Sequence, residues 1–315
     1  MTIESEQFNT ALINQDEQAL KRIRKGDRHI HASRGCYCRV LEKQLGVNLS
    51  TPPQNGYKNL EDMQQWVNDA IRPFCAGIDG WLKRIESMFI SASIDNHTVI
   101  EPSFTLRDIE KFSSVDSFIE SLNTIYRNYS KEIVFLPCLS IRTLDDLDFS
   151  LGRAKTAIDS GFFHSIDLCN KEGARDYSYY KPIYSYAEKC GLKKKAHVGE
   201  FGKAKDIKNA IQVLHLDEVQ HGISITEDKA ILEWAQKQSV IFNVCPSSNI
   251  KLGIIKNFAA HPVACMYRNG LKITIGTDDL LTFDSDLTNE YLCLYKEGCL
   301  SANELDDIRK NSLRY

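Results

Sequence analysis

The sequence lacks most of the features that would place a protein outside the ordinary globular class. No apolar run in its 315 residues approaches the roughly 20 needed to span a bilayer. The opening stretch MTIESEQFNTALINQDEQALKRIRKGDRHI contains no apolar core of a secretory leader. Positive charge is not in excess: 39 Lys and Arg stand against 42 Asp and Glu, a net charge of −3. Nothing in that balance marks a nucleic-acid or membrane-surface binder. No C-x-x-C occurs, and the ten cysteines are scattered, with only Cys36 and Cys38 close together. Reduced thiols in a cytoplasmic protein are therefore expected. Internal repeats, low-complexity tracts and linkers are missing too. What remains is a chain long enough to bury a substantial core, 43% hydrophobic and 26% charged.

What is present is an alternation. After a helical stretch over Glu6–Ile23, strand-like runs fall at Asp27–Ala32, Thr98–Leu106, Ile133–Ile141, Phe163–Cys169, Lys194–Val198, Glu218–Gly222, Val240–Cys245 and Leu271–Thr277. Between most of them lie amphipathic runs such as EDKAILEWAQKQ and KAKDIKNAIQVLHL, with apolar residues at helical spacing. Eight βα units without a composition break predict a (β/α)₈ TIM barrel occupying 1–315 as one domain. Leu45–Asn96 is too long for one crossover and rich in aromatics, so extra helices are expected after the first strand. They would cover the barrel mouth, pad the outer ring or carry a subunit interface.

The unusual polar residues collect at strand ends. His29 and His31 stand two apart on the first strand and share a face. His197 ends the fifth strand just before Gly199 and Glu200, His221 ends the sixth, and Asp278 and Asp279 follow the eighth. In a barrel these termini converge on one rim, the face where catalytic sites are built. Three imidazoles and a carboxylate make a site for a divalent cation with nitrogen and oxygen ligands, Zn²⁺ by default, with Asp278 as the carboxylate. A cation also explains how adjacent aspartates coexist. His97, His164 and His215 fall at the opposite end and read as structural. His261, before Pro262, reads as a helix-start residue, and Lys193–Lys195 as a solvated strand start.

GDRHIHAS, HVGEFG, VQHGIS, VCPSSN and IGTDD, in that order, resemble the motifs of the adenosine/AMP deaminase family of the amidohydrolase superfamily. The H-x-E and P-C-x-x-C signature of the smaller zinc deaminases is not found. The resemblance implies one Zn²⁺ per chain on His29, His31, His197 and Asp278. It implies His221 orienting the attacking water and helping to take its proton, a protonated Glu200 donating to purine N1, and Asp279 bonding N7. Adenine would become hypoxanthine with loss of ammonia.

The chain departs from the family pattern at four places. Asn170 stands where a glycine usually approaches N3 of the base, and Leu280 replaces a proline. The sequence ends at NSLRY where relatives commonly continue into another helix. Ala32-Ser33-Arg34 replaces the Leu-Asp that accepts from a ribose 5′-hydroxyl. Ser33 and Arg34 could hold a 5′-phosphate, the guanidinium bidentately. A nucleotide substrate, AMP or dAMP, is the expectation. The alternatives are an adenosine or deoxyadenosine deaminase of purine salvage and a non-catalytic, purine-binding or regulatory member of the fold. Short deaminases with such a pocket also resemble those of bacterial anti-phage nucleotide chemistry.

Overall fold

The computed structural model describes residues 2–315. Its barrel strands are β1 Lys25–His31, β2 His97–Thr105, β3 Cys138–Arg142, β4 Ser165–Cys169, β5 Lys193–Val198, β6 Glu218–His221, β7 Ile241–Val244 and β8 Lys272–Ile275. Each runs parallel to the next. The ring closes just past β8, where the Asp278 N–H donates to the His29 carbonyl at 2.8 Å and the His31 N–H to the Asp278 carbonyl at 2.9 Å. The expected (β/α)₈ barrel is what the chain forms. Closure depends on Gly276: a Cβ there would stand 2.7 Å from His29 Cβ and 2.8 Å from its carbonyl oxygen. Only a residue without a side chain lets the two strands approach this closely.

Two elements differ from the sequence reading. The third predicted strand, Ile133–Ile141, is divided into a two-residue strand, Val134–Phe135, and β3. Pro137 lies between them and has no N–H to give to a ladder. The N-terminal helix is two helices, Ile3–Ile13 and Glu17–Lys21. Gln15 adopts a left-handed φ of 54°, and Asp16 starts the second helix by accepting from the Ala19 N–H at 2.9 Å.

The barrel interior is charged where β-barrels of this kind usually hold branched aliphatics. The Lys195 ammonium is fully buried between Glu101 at 2.7 Å and Glu218 at 3.1 Å. Arg28 bonds the same two carboxylates, reaching Glu218 at 2.9 Å. Lys193–Lys195 is therefore not a solvated strand start. Strand alternation turns Lys195 into the barrel, where its charge is matched. Lys194 is buried as well, beside Glu188 at 3.0 Å and Asp217 at 3.4 Å.

The segment after β1 serves two places. Leu41, Leu49, Tyr57, Met63, Val67, Ile71 and Cys75 pack against Leu252, Leu281 and Phe283 from the loops that follow β7 and β8. The Tyr57 hydroxyl donates to the Thr282 carbonyl at 3.2 Å. This front part lies over the C-terminal rim. The long helix Gly77–Ile94 instead buries Trp81, Ile85, Met88 and Phe89 in the main core outside the barrel. All ten cysteines are free thiols. Among the described residues no helix is long and apolar enough to cross a membrane.

Candidate active site

The residues expected at the strand ends meet. His29 Nε2 lies 3.0 Å from His197 Nε2 and 3.9 Å from Asp278 Oδ1, and His31 Nε2 lies 3.3 Å from the same oxygen. His221 Nε2 stands 3.5 Å from Glu200 Oε2 and 3.9 Å from Asp278 Oδ2. His29, His197, Glu200, His221, Asp278 and Asp279 are buried, and His31 is half-buried. His221 and Asp278 hold left-handed backbones, with φ of 61° and 58°. Such strain in non-glycine residues persists where the surroundings fix it, commonly at functional sites.

The tautomers decide what this cluster can hold. His29 Nδ1 faces the Asn243 carbonyl at 3.1 Å, which only accepts, so Nδ1 carries the hydrogen and Nε2 is a bare lone pair. His197 Nδ1 faces the Asp167 carboxylate at 3.1 Å, with the same consequence. The Ser103 hydroxyl donates to the Ile30 carbonyl at 3.3 Å, leaving its oxygen for His31 Nδ1 at 3.4 Å. Three Nε2 lone pairs and the Asp278 carboxylate thus point inward at one another. Only a cation or a shared proton relieves that repulsion, and the donor set is the one Zn²⁺ prefers. Ligand atoms of His29, His31 and His197 lie within 4.8 Å of one another, as do those of His31, Asp278 and Asp279.

Burial and neighbouring charge separate the carboxyls. Burial alone would raise Asp278, yet a proton shared with the imidazoles of His31, His29 and His221, the relief a cation would also give, holds it well below the ordinary carboxylate range. Glu200 is pushed well above its ordinary value, first by burial and then by Asp278, Glu172 and Asp279. Asp279 is raised by burial, against the opposing charge of Arg34. One carboxylate is therefore kept ionised beside the imidazoles while two neighbours favour the protonated form, the division of labour that acid–base sites use.

The family profile described as Adenosine deaminase matches residues 103–315. A putative adenosine/adenine deaminase of Treponema pallidum is 32% identical over 263 residues, which are 82% of this chain and 87% of that protein. The chain belongs to the adenosine deaminase family. Membership carries an enzymatic class, that of hydrolases acting on cyclic amidines. Among solved structures, an amidohydrolase of Burkholderia ambifaria with bound Zn has a TM-score of 0.74 at 17% identity, covering 99% of this chain and 88% of that one. An Arabidopsis deaminase-like protein complexed with IMP has a TM-score of 0.75 at 18% identity, covering 94% and 92%. At these identities the two structures bear on the fold.

In this adenosine deaminase family member the unusual substitutions have local explanations. Asn170 carries a φ of 88°. Glycine adopts such a left-handed backbone freely, and asparagine is among the few other residues that do so readily. Arg34 Nε lies 3.0 Å from Asp279 Oδ1, an ion pair without hydrogen-bond alignment. Arg34 Nη1 approaches Met63 Sδ at 3.9 Å, so this side chain spans from Asp279 to the helices above. Ser33 is half-buried on the same turn.

Five contributors escaped the sequence reading. Asp167 orients His197. The Ser248 hydroxyl donates to Asp278 Oδ2 at 2.7 Å. The Glu172 carboxylate accepts four backbone N–H groups, from Gly199 at 2.7 Å, Glu200 at 2.8 Å, Phe201 at 2.9 Å and Gly202 at 3.0 Å. It thereby clamps the turn that presents Glu200. Asn249 and His261 stand behind His221. Asp167 and Glu172 flank Asn170 in DLCNKE, and Ser248 and Asn249 lie in PSSN, so the motifs were visible while the roles were not. His97, by contrast, sits at the far end against Asp95 at 2.9 Å, as expected of a structural residue.

Proposed function

We propose that the protein deaminates an adenine nucleotide hydrolytically at purine C6, taking AMP or dAMP to the inosine nucleotide and ammonia, with one Zn²⁺ per chain. The observation that carries this reading is the set of inward lone pairs of His29, His31 and His197 around Asp278, beside Glu200, whose carboxyl burial pushes well above its ordinary value. Those four residues would hold the zinc. When bound, zinc supplies Lewis-acid activation of a water near neutral pH.

The chain's own groups do the rest. Glu200 gives its proton to N1, which makes C6 electrophilic. Asp279, with its carboxyl raised, donates to N7 and fixes the ring. His221 holds the water opposite C6. The water oxygen ends on C6 as the new carbonyl, one of its hydrogens replaces the proton that Glu200 gave to N1, the other ends on the departing amino group, and ammonia leaves. The front helices over the rim, within 46–75, close the site above the base and limit bulk water.

Support for a phosphate comes from four arginines at the mouth. Arg142 is the last residue of β3, at the C-terminal rim, Arg72 belongs to the covering segment, and Arg84 to the long helix Gly77–Ile94 that follows it. Among the described residues none of these three guanidiniums has a hydrogen bond or ion pair, and Arg84 Nε is enclosed without a partner. Burial, then the charges of Arg34, Arg84 and Arg142, hold Arg72 below the ordinary arginine range. Like charges near one another, three of them without an acid to pair with, suit a phosphate. The second reading, a nucleoside deaminase, draws on the Arg34–Asp279 pair, which occupies one of the two side chains expected to meet a phosphate.

A side-by-side assay of the zinc-loaded protein with adenosine, deoxyadenosine, AMP and dAMP decides between them. Rapid turnover of the monophosphates, with KM for AMP rising about tenfold or more in Arg72→Ala and Arg142→Ala, is the expected result, since each charge-assisted contact contributes about 1.5–3 kcal/mol. Turnover of nucleosides alone, unchanged in both variants, would refute the nucleotide assignment.

A further inference from the structure

Behind His221 runs a chain of hydrogen bonds whose polarity is set at its far end by a group that cannot titrate. The Val263 backbone N–H donates to His261 Nδ1 at 3.1 Å. His261 is buried, and burial pushes it down to about 3, so the ring is neutral and its single hydrogen must sit on Nε2. That Nε2 lies 3.2 Å from Asn249 Oδ1, which therefore accepts. With its oxygen committed, Asn249 turns its amide nitrogen toward His221 Nδ1 at 3.2 Å and donates. His221 Nδ1 is then an acceptor, and the ring hydrogen of His221 lies on Nε2, facing the pocket. This is the opposite tautomer to His29 and His197, whose Nδ1 atoms donate to a carbonyl and a carboxylate.

We propose that Asn249 and His261 are positioning residues that fix His221 as an Nε2–H donor toward the reacting water. A ring nitrogen that already carries a hydrogen cannot take one from the water. His221 thus orients the water by donating to its oxygen. The hydrogen the water loses goes to the Glu200 carboxylate once that group has given its own proton to N1. This differs from the expectation that His221 helps to remove the proton, and nothing in the sequence around His221 indicates it. The left-handed backbone of His221 is held by the same contact, because the ring is tethered from behind.

The kinetic part rests on the deamination reading, but the polarity does not, so the first measurement needs no turnover. Long-range ¹H–¹⁵N spectra of zinc-loaded, ¹⁵N-histidine-labelled protein report which nitrogen of His221 bears the hydrogen, the signals being assigned with His221→Gln. The expected spectrum of the unmodified protein has it on Nε2. A hydrogen on Nδ1 would overturn the proposal, whatever the protein does to purines.

Asn249→Asp, nearly isosteric, offers only acceptors to both neighbours, so it should draw the His221 hydrogen to Nδ1. It should also lower kcat at least tenfold while KM stays within about twofold. His261→Gln restores a donor toward Asn249 and should recover most of the activity that His261→Phe loses. An unchanged His221 spectrum in Asn249→Asp, or equal losses in the two His261 variants, would refute the relay.

Discussion

At the scale of single residues, the site was legible where the chemistry needs rare side chains. Histidines and paired aspartates stand out against a chain with only eight histidines, and their places at strand ends could be read from alternation. Asp167, Ser248 and Asn249 were not legible as contributors, because aspartate, serine and asparagine are common and their roles depend on which ring nitrogen or carboxylate they face across the barrel. Glu200 shows how burial converts an ordinary residue into an acid. Its raised carboxyl means that the active, protonated form is lost as pH rises through its folded pKa, so kcat should fall on the alkaline side. Glu200→Gln keeps the shape and removes the transferable proton. The variant should lose about 10²–10⁴-fold in kcat while binding zinc as before, judged by metal content of the purified protein. A variant that retains near-normal kcat would remove Glu200 from the chemistry.

Among elements, strand and helix types followed from periodicity, while their breaks came from single residues. Pro137 divided one strand, and Gln15 with Asp16 divided the first helix, both through local backbone chemistry that averages out of a hydrophobic pattern. The turn Gly199–Gly202 is a stronger case, because its shape is imposed from another strand's loop. Glu172 Oε2 accepts from Gly199 and Gly202, and Oε1 from Glu200 and Phe201. Glu172→Gln therefore puts an amide NH₂ against two N–H donors whichever way it is flipped, and two of the four bonds become clashes of like polarity. Either flip leaves one buried donor unsatisfied, the N–H of Gly199 or of Glu200, at a cost of about 1–3 kcal/mol, and one more exposed donor at less. The expected outcome is a melting temperature lower by several degrees and a kcat reduced more than tenfold, with zinc content unchanged. If both quantities matched the unmodified protein, the clamp would have no hold on Glu200.

For the whole molecule, the eight-stranded ring and the position of its site followed from counting βα units, but the charged barrel interior did not. Lys195 looked like a surface residue until closure of the ring brought Glu101 and Glu218 alongside it and Arg28, a pairing across β1, β2, β5 and β6 that no local pattern encodes. Stability against pH is likewise a property of the closed fold, and Glu290 gives a test of it away from the histidine–aspartate cluster. It lies buried in the helix Leu287–Lys296 and accepts from the Ser247 N–H at 3.1 Å. Burial raises its carboxyl from 4.5 to about 7. Below the ordinary value both folded and unfolded chains hold the proton, and stability is unaffected. As pH climbs toward 7 the unfolded chain ionises while the folded one keeps its proton, so folding loses ground, and above 7 the loss is complete. A shift of this size corresponds to at most about 3 kcal/mol at pH 8. Glu290→Gln retains an oxygen for Ser247 and cannot ionise. Its melting temperature should match that of the unmodified protein near pH 4 and exceed it by several degrees at pH 8, the gap opening between those values. Two melting curves that stay parallel across that range would mean that Glu290 ionises normally in the folded barrel and that its burial imposes no such cost.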